Sequence, residues 1–136
     1  AAVTGRVAAG HVPGAGGEVT DDGTQGIAML GGDTLVVARA RALRPQRAVF
    51  VSNHPGVMDR DPAGPGAKLV AQLGGDARTA MRAKRMDVPG ADVTGGMWGK
   101  LEAAAAIARE CEGRIIGAGG FATALAGDPA GTLVLP

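Results

Sequence analysis

The stretch DVTGGMWGKLEAAAAIARECEGRIIGAGG, residues 92–120, decides the fold class. Gly95 and Gly96 break regular structure, and Met97–Glu112 then collects strong helix formers. Leu101, Ala104, Ala105, Ala108 and Cys111 share one face at helical spacing, and the alanines there allow close approach to a sheet. Gly113 is expected to close the helix. The apolar run RIIGA that follows is too short for a helix and reads as a buried strand.

Working outward, AVFV (Ala48–Val51) reads as a second buried strand. A helix near 34–43 precedes it, with Asp33 or Thr34 as cap and Pro45 beyond its end. The glycine-rich segment Gly10–Gly26 reads as irregular chain with a short strand or hairpin arm. After the turn SNHPG, a short helix is expected within 63–75 and a basic one over 77–85. A helix over 121–126 and a strand over 132–135 complete the pattern. Apolar strands alternating with helices predict a three-layer α/β/α domain with a largely parallel sheet. Ligands of such a sheet gather at the carboxyl ends of its strands.

Composition narrows the function. The 136 residues suffice for one domain with a real core but not for two ordinary ones. Apolar residues make up 46%, yet only Phe50, Phe121 and Trp98 are aromatic, so Val, Leu, Ile, Ala and Met must fill the core. A formal net charge of +1 gives no electrostatic footprint for nucleic acid. The local cluster Arg78, Arg82, Lys84 and Arg85 reads as a solvated face or as a contact with something anionic. The single Cys111 excludes a disulfide framework and a multi-thiolate metal site, and its place on the apolar helix face makes it a core residue. Neither His11 nor His54 has zinc-ligand spacing, so no protein metal site is expected. No apolar run approaches the about 18 residues of a membrane span. The expectation is a soluble, cytoplasmic protein with neither nucleic-acid nor membrane partners.

Chemistry is left to four segments at strand or helix ends: GGDT (31–34), SNHPGVMDRDP (52–62), TGGMWGK (94–100) and GAGG (117–120). Small residues let backbone N–H groups approach phosphate oxygens, and a helix N-terminus adds favourable partial charge. Lys100, about one turn into its helix, is placed to reach a phosphoryl group. Asp33, Asp59 and Asp61 are suited to position lysines or to hold Mg²⁺ together with phosphate oxygens. Composition and spacing alone favour a plainer reading, in which the glycines make turns, Lys100 is solvated and the aspartates cap helices.

Taken in order, these motifs resemble the C-terminal half of the amino acid kinase superfamily. The likeness is nearest to isopentenyl phosphate kinase and fosfomycin-kinase-like proteins, with glutamate 5-kinase further off. GHVPGAGGEVTDDGTQGIAMLGGD is similar to the family's "vP…GD…G…SGD" passage. LVVARARALRPQRAVFVSNHPGVMDRDP resembles its helix, strand and "TDVDGVYDRDP" loop. DVTGGMWGKLEAAAAIA resembles "(D)VTGGMxxKxxxA", and GAGG with GTLVLP fits the family's ending. The resemblance implies a single nucleotide-binding domain over 1–136, half of a larger kinase fold. It implies ATP and Mg²⁺ as cofactors and a phosphate or carboxylate acceptor, with isopentenyl phosphate as one candidate. Lys100 and Asp33 become the catalytic pair, Asp33 organising phosphate-binding lysines. Ser52, Asn53, Gly56, Met58, Asp59, Gly95, Gly96, Met97 and Lys100 become nucleotide contacts. Gly31 and Gly32 lie where the two substrates meet.

Two departures qualify the resemblance. Asn53 and Pro55 replace the usual aspartates of the nucleotide loop, although proline also occurs at the second position in N-acetylglutamate kinases. Family members are also about twice this length, and nothing here resembles their first half, which carries a glycine-rich phosphate loop, another lysine and most acceptor contacts. The chain therefore reads as a piece of a longer enzyme, one subunit of a split enzyme, or a stand-alone nucleotide-binding remnant. The opening AAVTGRVAAG, which looks like helix interior, favours the first two. The expected partner is a second chain supplying the missing half, or another copy of this one. A non-catalytic nucleotide-binding or regulatory module is the alternative function, and a purely structural α/β protein the third.

Overall fold

The computed structural model describes residues 2–86 and 96–136. Helix α1 (Ala2–Ala8) is followed by a hairpin of β1 (Glu18–Asp22) and β2 (Gly26–Leu30), antiparallel with Val19 opposite Met29. Asp22 shapes the hairpin tip by accepting hydrogen bonds from the Thr24 and Gln25 amides at 2.9 and 2.8 Å. Those two amides, Gln25 first, hold the Asp22 carboxyl below its ordinary range. Val19, Ile27 and Met29 stay exposed on the hairpin.

Next come α2 (Gly32–Leu43), β3 (Arg47–Ser52), β4 (Gln72–Leu73) and α3 (Gly75–Met86). The chain continues with α4 (Gly96–Ile107), β5 (Glu112–Gly117), a short 3₁₀ turn (Ala118–Gly120), α5 (Phe121–Ala126) and β6 (Thr132–Val134). The main sheet runs β3-β5-β6-β4, with β3∥β5 and β4∥β6 parallel and β5–β6 antiparallel. It is a mixed α/β fold with a largely parallel sheet and helices on its faces, as the sequence predicts.

One face carries the core. Ala48, Phe50, Ile115, Leu73 and Val134 meet Trp98, Leu101, Ala104 and Ile107 of α4, with Val36 and Val37 of α2 alongside. Helix α4 lies tight on the sheet: a Cβ on Gly113 would sit 3.2 Å from the Ala104 carbonyl oxygen. Gly113 is thus the strand position that admits the helix rather than the residue that ends it. The helix stops at Ile107, earlier than its composition suggests, because the sheet takes the chain back. The Glu112 amide donates to the Gln46 carbonyl at 3.1 Å, and Glu112 enters the ladder opposite Arg47. Tertiary pairing overrides helix propensity here.

The opposite face holds fully buried Ile116 of β5, with Ala124 of α5 fully buried on the same side. Beside them Glu112 accepts from Arg47 Nε at 2.8 Å and from Arg114 Nε. Arg47 also donates to the Ala124 carbonyl, and Arg114 to the Ala130 carbonyl. The two guanidiniums, Arg47 first, hold the Glu112 carboxyl below its usual range.

Two further expectations are corrected. The short helix expected within 63–75 is not formed before α3 begins at Gly75: Asp61 turns the chain by accepting from the Ala63 amide at 2.9 Å, Gly66 has φ +74°, and the segment then pairs as strand. Gly64 and Pro65 make helix costly there, and β6 offers hydrogen bonds to β4. Helix α2 is capped by Gly31 and not by a side chain, because the Asp33 carboxylate is engaged elsewhere. In the basic helix α3, Arg82 pairs with Glu102 at 3.1 Å and Arg78 reaches the Leu135 carbonyl at 3.4 Å. No helix among the described residues is long and apolar enough to cross a membrane.

Candidate functional site

The starts of α2 and α4 meet at one place. Asp33 stands in the first turn of α2 and Lys100 in the second turn of α4, 67 residues apart in sequence. Lys100 Nζ donates to both Asp33 carboxylate oxygens at 3.3 Å. The contact is partly shielded, with side chains 22% and 33% exposed. Gly99 lies alongside, where a Cβ would make only an ordinary contact, 3.5 Å from Asp33 Oδ2. The α2 N-terminus favours a carboxylate at Asp33, while Lys100 is a cation near the start of α4, where the dipole disfavours it. Asp33 therefore holds an ammonium beside two helix starts whose first amides lack intrahelical partners. Such a place suits polyanionic oxygens.

An open cleft of about 260 Å³ adjoins the pair, lined by Gly32, Asp33, Val36, Arg39, Val51 and Lys100 among others. It borders β3, the edge strand of the sheet. Gly32, Asp33 and Lys100 are thus brought together, and Gly31 is the N-cap residue of α2 next to them in sequence. Gly96 is exposed at the head of α4, with Met97 half-buried beside it. Trp98 in the same turn is buried in the core, anchoring the helix start, and its Nε1 has no hydrogen-bond partner among the described residues. Gly95 lies outside those residues.

The SNHPG segment leaves the carboxyl end of β3 and folds over a second, separate cleft. Ser52 Oγ donates to the His54 carbonyl at 2.8 Å and accepts from the His54 amide at 3.2 Å. Asn53, His54 and Pro55 face Gly117–Gly120 and Gly131 across a cleft of about 520 Å³. Asn53 thus lines a different cleft from the one beside Lys100. Gly117 suits this close approach, because a Cβ would stand 3.1 Å from the His54 carbonyl oxygen and press on that backbone. Gly56 is buried, with no room for a Cβ against Leu69 and Thr132.

Beyond it, Met58 pairs with Leu69 in an antiparallel bridge. Asp59 Oδ1 accepts from the Lys68 amide at 2.8 Å and Oδ2 from Arg60 at 3.4 Å. The Lys68 amide is the main reason the Asp59 carboxyl sits below its ordinary range. Asp61 is spent on its own turn. Among the described residues no group of three or more His, Cys, Asp or Glu is arranged to hold a metal ion. The free Cys111 is buried and its thiol is pushed up by desolvation, which suits a core residue.

Thr132 is the residue that sequence reasoning passed over. It is fully buried, and its hydroxyl accepts from the Val57 amide at 2.8 Å while donating to the Val70 carbonyl at 2.6 Å. The signal available was the Gly-Thr pair opening GTLVLP.

Fold and site together define an α/β domain with a cation–carboxylate pair set between two helix starts. The chain belongs to the amino acid kinase family, whose profile matches residues 1–118. Among curated proteins none matches significantly. Among solved structures it is similar to an isopentenyl phosphate kinase, with TM-score 0.73 and 24% identity, over 97% of this chain and 48% of that one. It is similar to the T. acidophilum isopentenyl phosphate kinase in a product complex, with TM-score 0.69 and 17% identity, over 98% and 51%. A Giardia lamblia carbamate kinase bound to AMP-PNP aligns with TM-score 0.62 and 15% identity, over 86% and 40%. The chain thus spans about half the length of the isopentenyl phosphate kinases it matches.

Proposed function

We propose that this chain is the ATP-binding part of a small-molecule kinase that transfers the ATP γ-phosphoryl group to a phosphate or carboxylate acceptor. The observation that carries the reading is the Lys100–Asp33 pair between the starts of α4 and α2. In this role Lys100 neutralises phosphate charge, Asp33 fixes its ammonium, and the α4 amides at Gly96 and Met97 meet phosphate oxygens. Gly95 belongs to the same glycine pair. Gly31 and Gly32 leave the approach to the acceptor open. Within the segment from Ser52 to Asp59, it is Asn53–Pro55, on the second cleft, that would supply the wall for the nucleoside part of ATP. Mg²⁺ would enter on the nucleotide, held chiefly by phosphate oxygens. Catalysis of this kind rests on positioning and charge neutralisation, without a covalent enzyme intermediate.

The complementary half of the catalytic site would come from the remainder of a longer protein, from a second chain, or from a second copy. Among the described residues no strand pairs with the outer edge of β3 beside the Lys100 cleft, which supports this need. Isopentenyl phosphate is the first acceptor to test, given the relatives. The experiment is to combine the chain with a polypeptide carrying the family's missing half and to measure ATP-dependent phosphorylation of isopentenyl phosphate. A stable assembly inactive on it and on acylated amino acids would overturn the kinase reading. A non-catalytic nucleotide-binding module is the second reading, favoured by Asn53 and Pro55 in place of loop carboxylates. It predicts Mg–ATP binding without transfer in that assembly.

A further inference from the structure

We infer that Thr132 is a positioning residue for nucleotide binding, acting through the loop that follows β3; this rests on the ATP-site reading above. Thr132 is the one buried polar side chain among the described residues. A hydroxyl has one donor and two acceptor sites, and Thr132 uses it to join two segments to β6. It accepts from the Val57 amide and donates to the Val70 carbonyl. Those segments form a short antiparallel ladder of their own. The Val70 amide donates to the Val57 carbonyl at 2.8 Å, and the Asp59 amide to the Lys68 carbonyl at 2.9 Å. Thr132 clasps the end of that ladder to the sheet, just where the chain leaves the Asn53–Gly56 wall.

The surroundings leave the clasp little freedom. A Cβ on Gly56 would lie 2.8 Å from Thr132 Oγ1 and 3.0 Å from its amide nitrogen, so the loop backbone rests directly on this residue. Gly131 precedes it with φ +60°, and a Cβ there would come within 2.0 Å of the Ile115 carbonyl oxygen. Arg114 holds the Ala130 carbonyl at 3.1 Å. The 130–132 corner is therefore fixed from three sides, and it passes that rigidity to the loop through one hydroxyl. Valine preserves the shape of threonine but satisfies neither partner, whereas serine satisfies both.

The test compares wild-type chain with Thr132→Val and Thr132→Ser, reading amide hydrogen exchange at Val57 and Mg–ATP affinity by calorimetry. Thr132→Val takes the hydroxyl from both the Val57 amide and the Val70 carbonyl, and should speed Val57 exchange and weaken Mg–ATP about tenfold as the loop loses its fixed position. Thr132→Ser should restore both to within about threefold, a rescue that a role in packing alone would not give, since serine lacks the methyl group. In the wild type, Mg–ATP should also slow Val57 exchange, which keeps the inference testable if the valine variant does not fold. Unchanged affinity in a folded Thr132→Val protein, or Val57 exchange indifferent to Mg–ATP, would overturn the positioning role while leaving the ATP site intact. A wild-type chain that binds no Mg–ATP would instead overturn the ATP-site reading, and this inference with it.

Discussion

Gly131→Ala tests the architecture of the site at its tightest point. Gly131 has φ +60°, a conformation that costs an L-residue about 1–2 kcal/mol. Its added Cβ would lie 2.0 Å from the Ile115 carbonyl oxygen and 2.9 Å from Ile116 Cα, both in the central strand β5. Backbone cannot swing away as a flexible side chain does, so relief requires β5 or the 130–132 corner to shift. Overpacking of that kind adds about 1–3 kcal/mol, and the two effects together reach about 3 kcal/mol or more. Gly119, on the wall of the same cleft, is the control: its Cβ would meet nothing within 4 Å, and its φ is not positive. Gly119→Ala should change stability by less than about 0.5 kcal/mol. Urea unfolding followed by circular dichroism measures both. A Gly131→Ala protein within about 0.5 kcal/mol of wild type would refute the geometry of the β5–β6 corner and the clasp built on it.

Other outcomes follow from the same geometry. Gly96→Ala meets no atom within 4 Å, so it should be neutral or stabilising by about 0.5 kcal/mol in thermal unfolding. The same methyl stands where phosphate oxygens would approach the α4 amides, so Mg–ATP affinity measured by calorimetry should fall. Glu112 has a folded-state pKa below its unfolded value, so its contribution is full above the ordinary carboxylate pKa of about 4.3 and is lost as pH falls through the lowered one. Glu112→Gln should therefore cost about 1 kcal/mol at pH 7, an amount discounted for partial exposure. The gap from wild type should narrow on acidification below about pH 4, as read from urea midpoints across pH.

The fold was legible where sequence pattern and packing agree. AVFV and RII are strands whose Ala48, Phe50, Ile115 and Ile116 are buried, although Val51 is exposed and Arg114 is charged, and FATALA is a helix closed by Gly127 at φ +91°. The end of α4 was not legible, because the bond from the Glu112 amide to Gln46 depends on a strand more than sixty residues away. Nor was β4, whose two residues are strand only because β6 lies beside them. Local composition also cannot report that β6 runs antiparallel to β5. For the site, the spacing between Asp33 and Lys100 carries no message in itself. Their joint candidacy came from resemblance, and the 3.3 Å contact between them is a product of α2 packing on α4. Thr132 escaped notice because a threonine in an apolar strand reads as an ordinary β-former until its hydrogen bonds are seen.

The most direct measurement is a calorimetric titration of the chain with Mg–ATP, wild type against Lys100→Ala, with circular dichroism confirming the fold of both. A charge-assisted contact to phosphate at a partly shielded site is worth about 1.5–3 kcal/mol. The site defined by Lys100 and Asp33 therefore predicts binding by wild type and a loss of about tenfold or more in the variant. Equal affinity in the two folded proteins would contradict a phosphate role for Lys100.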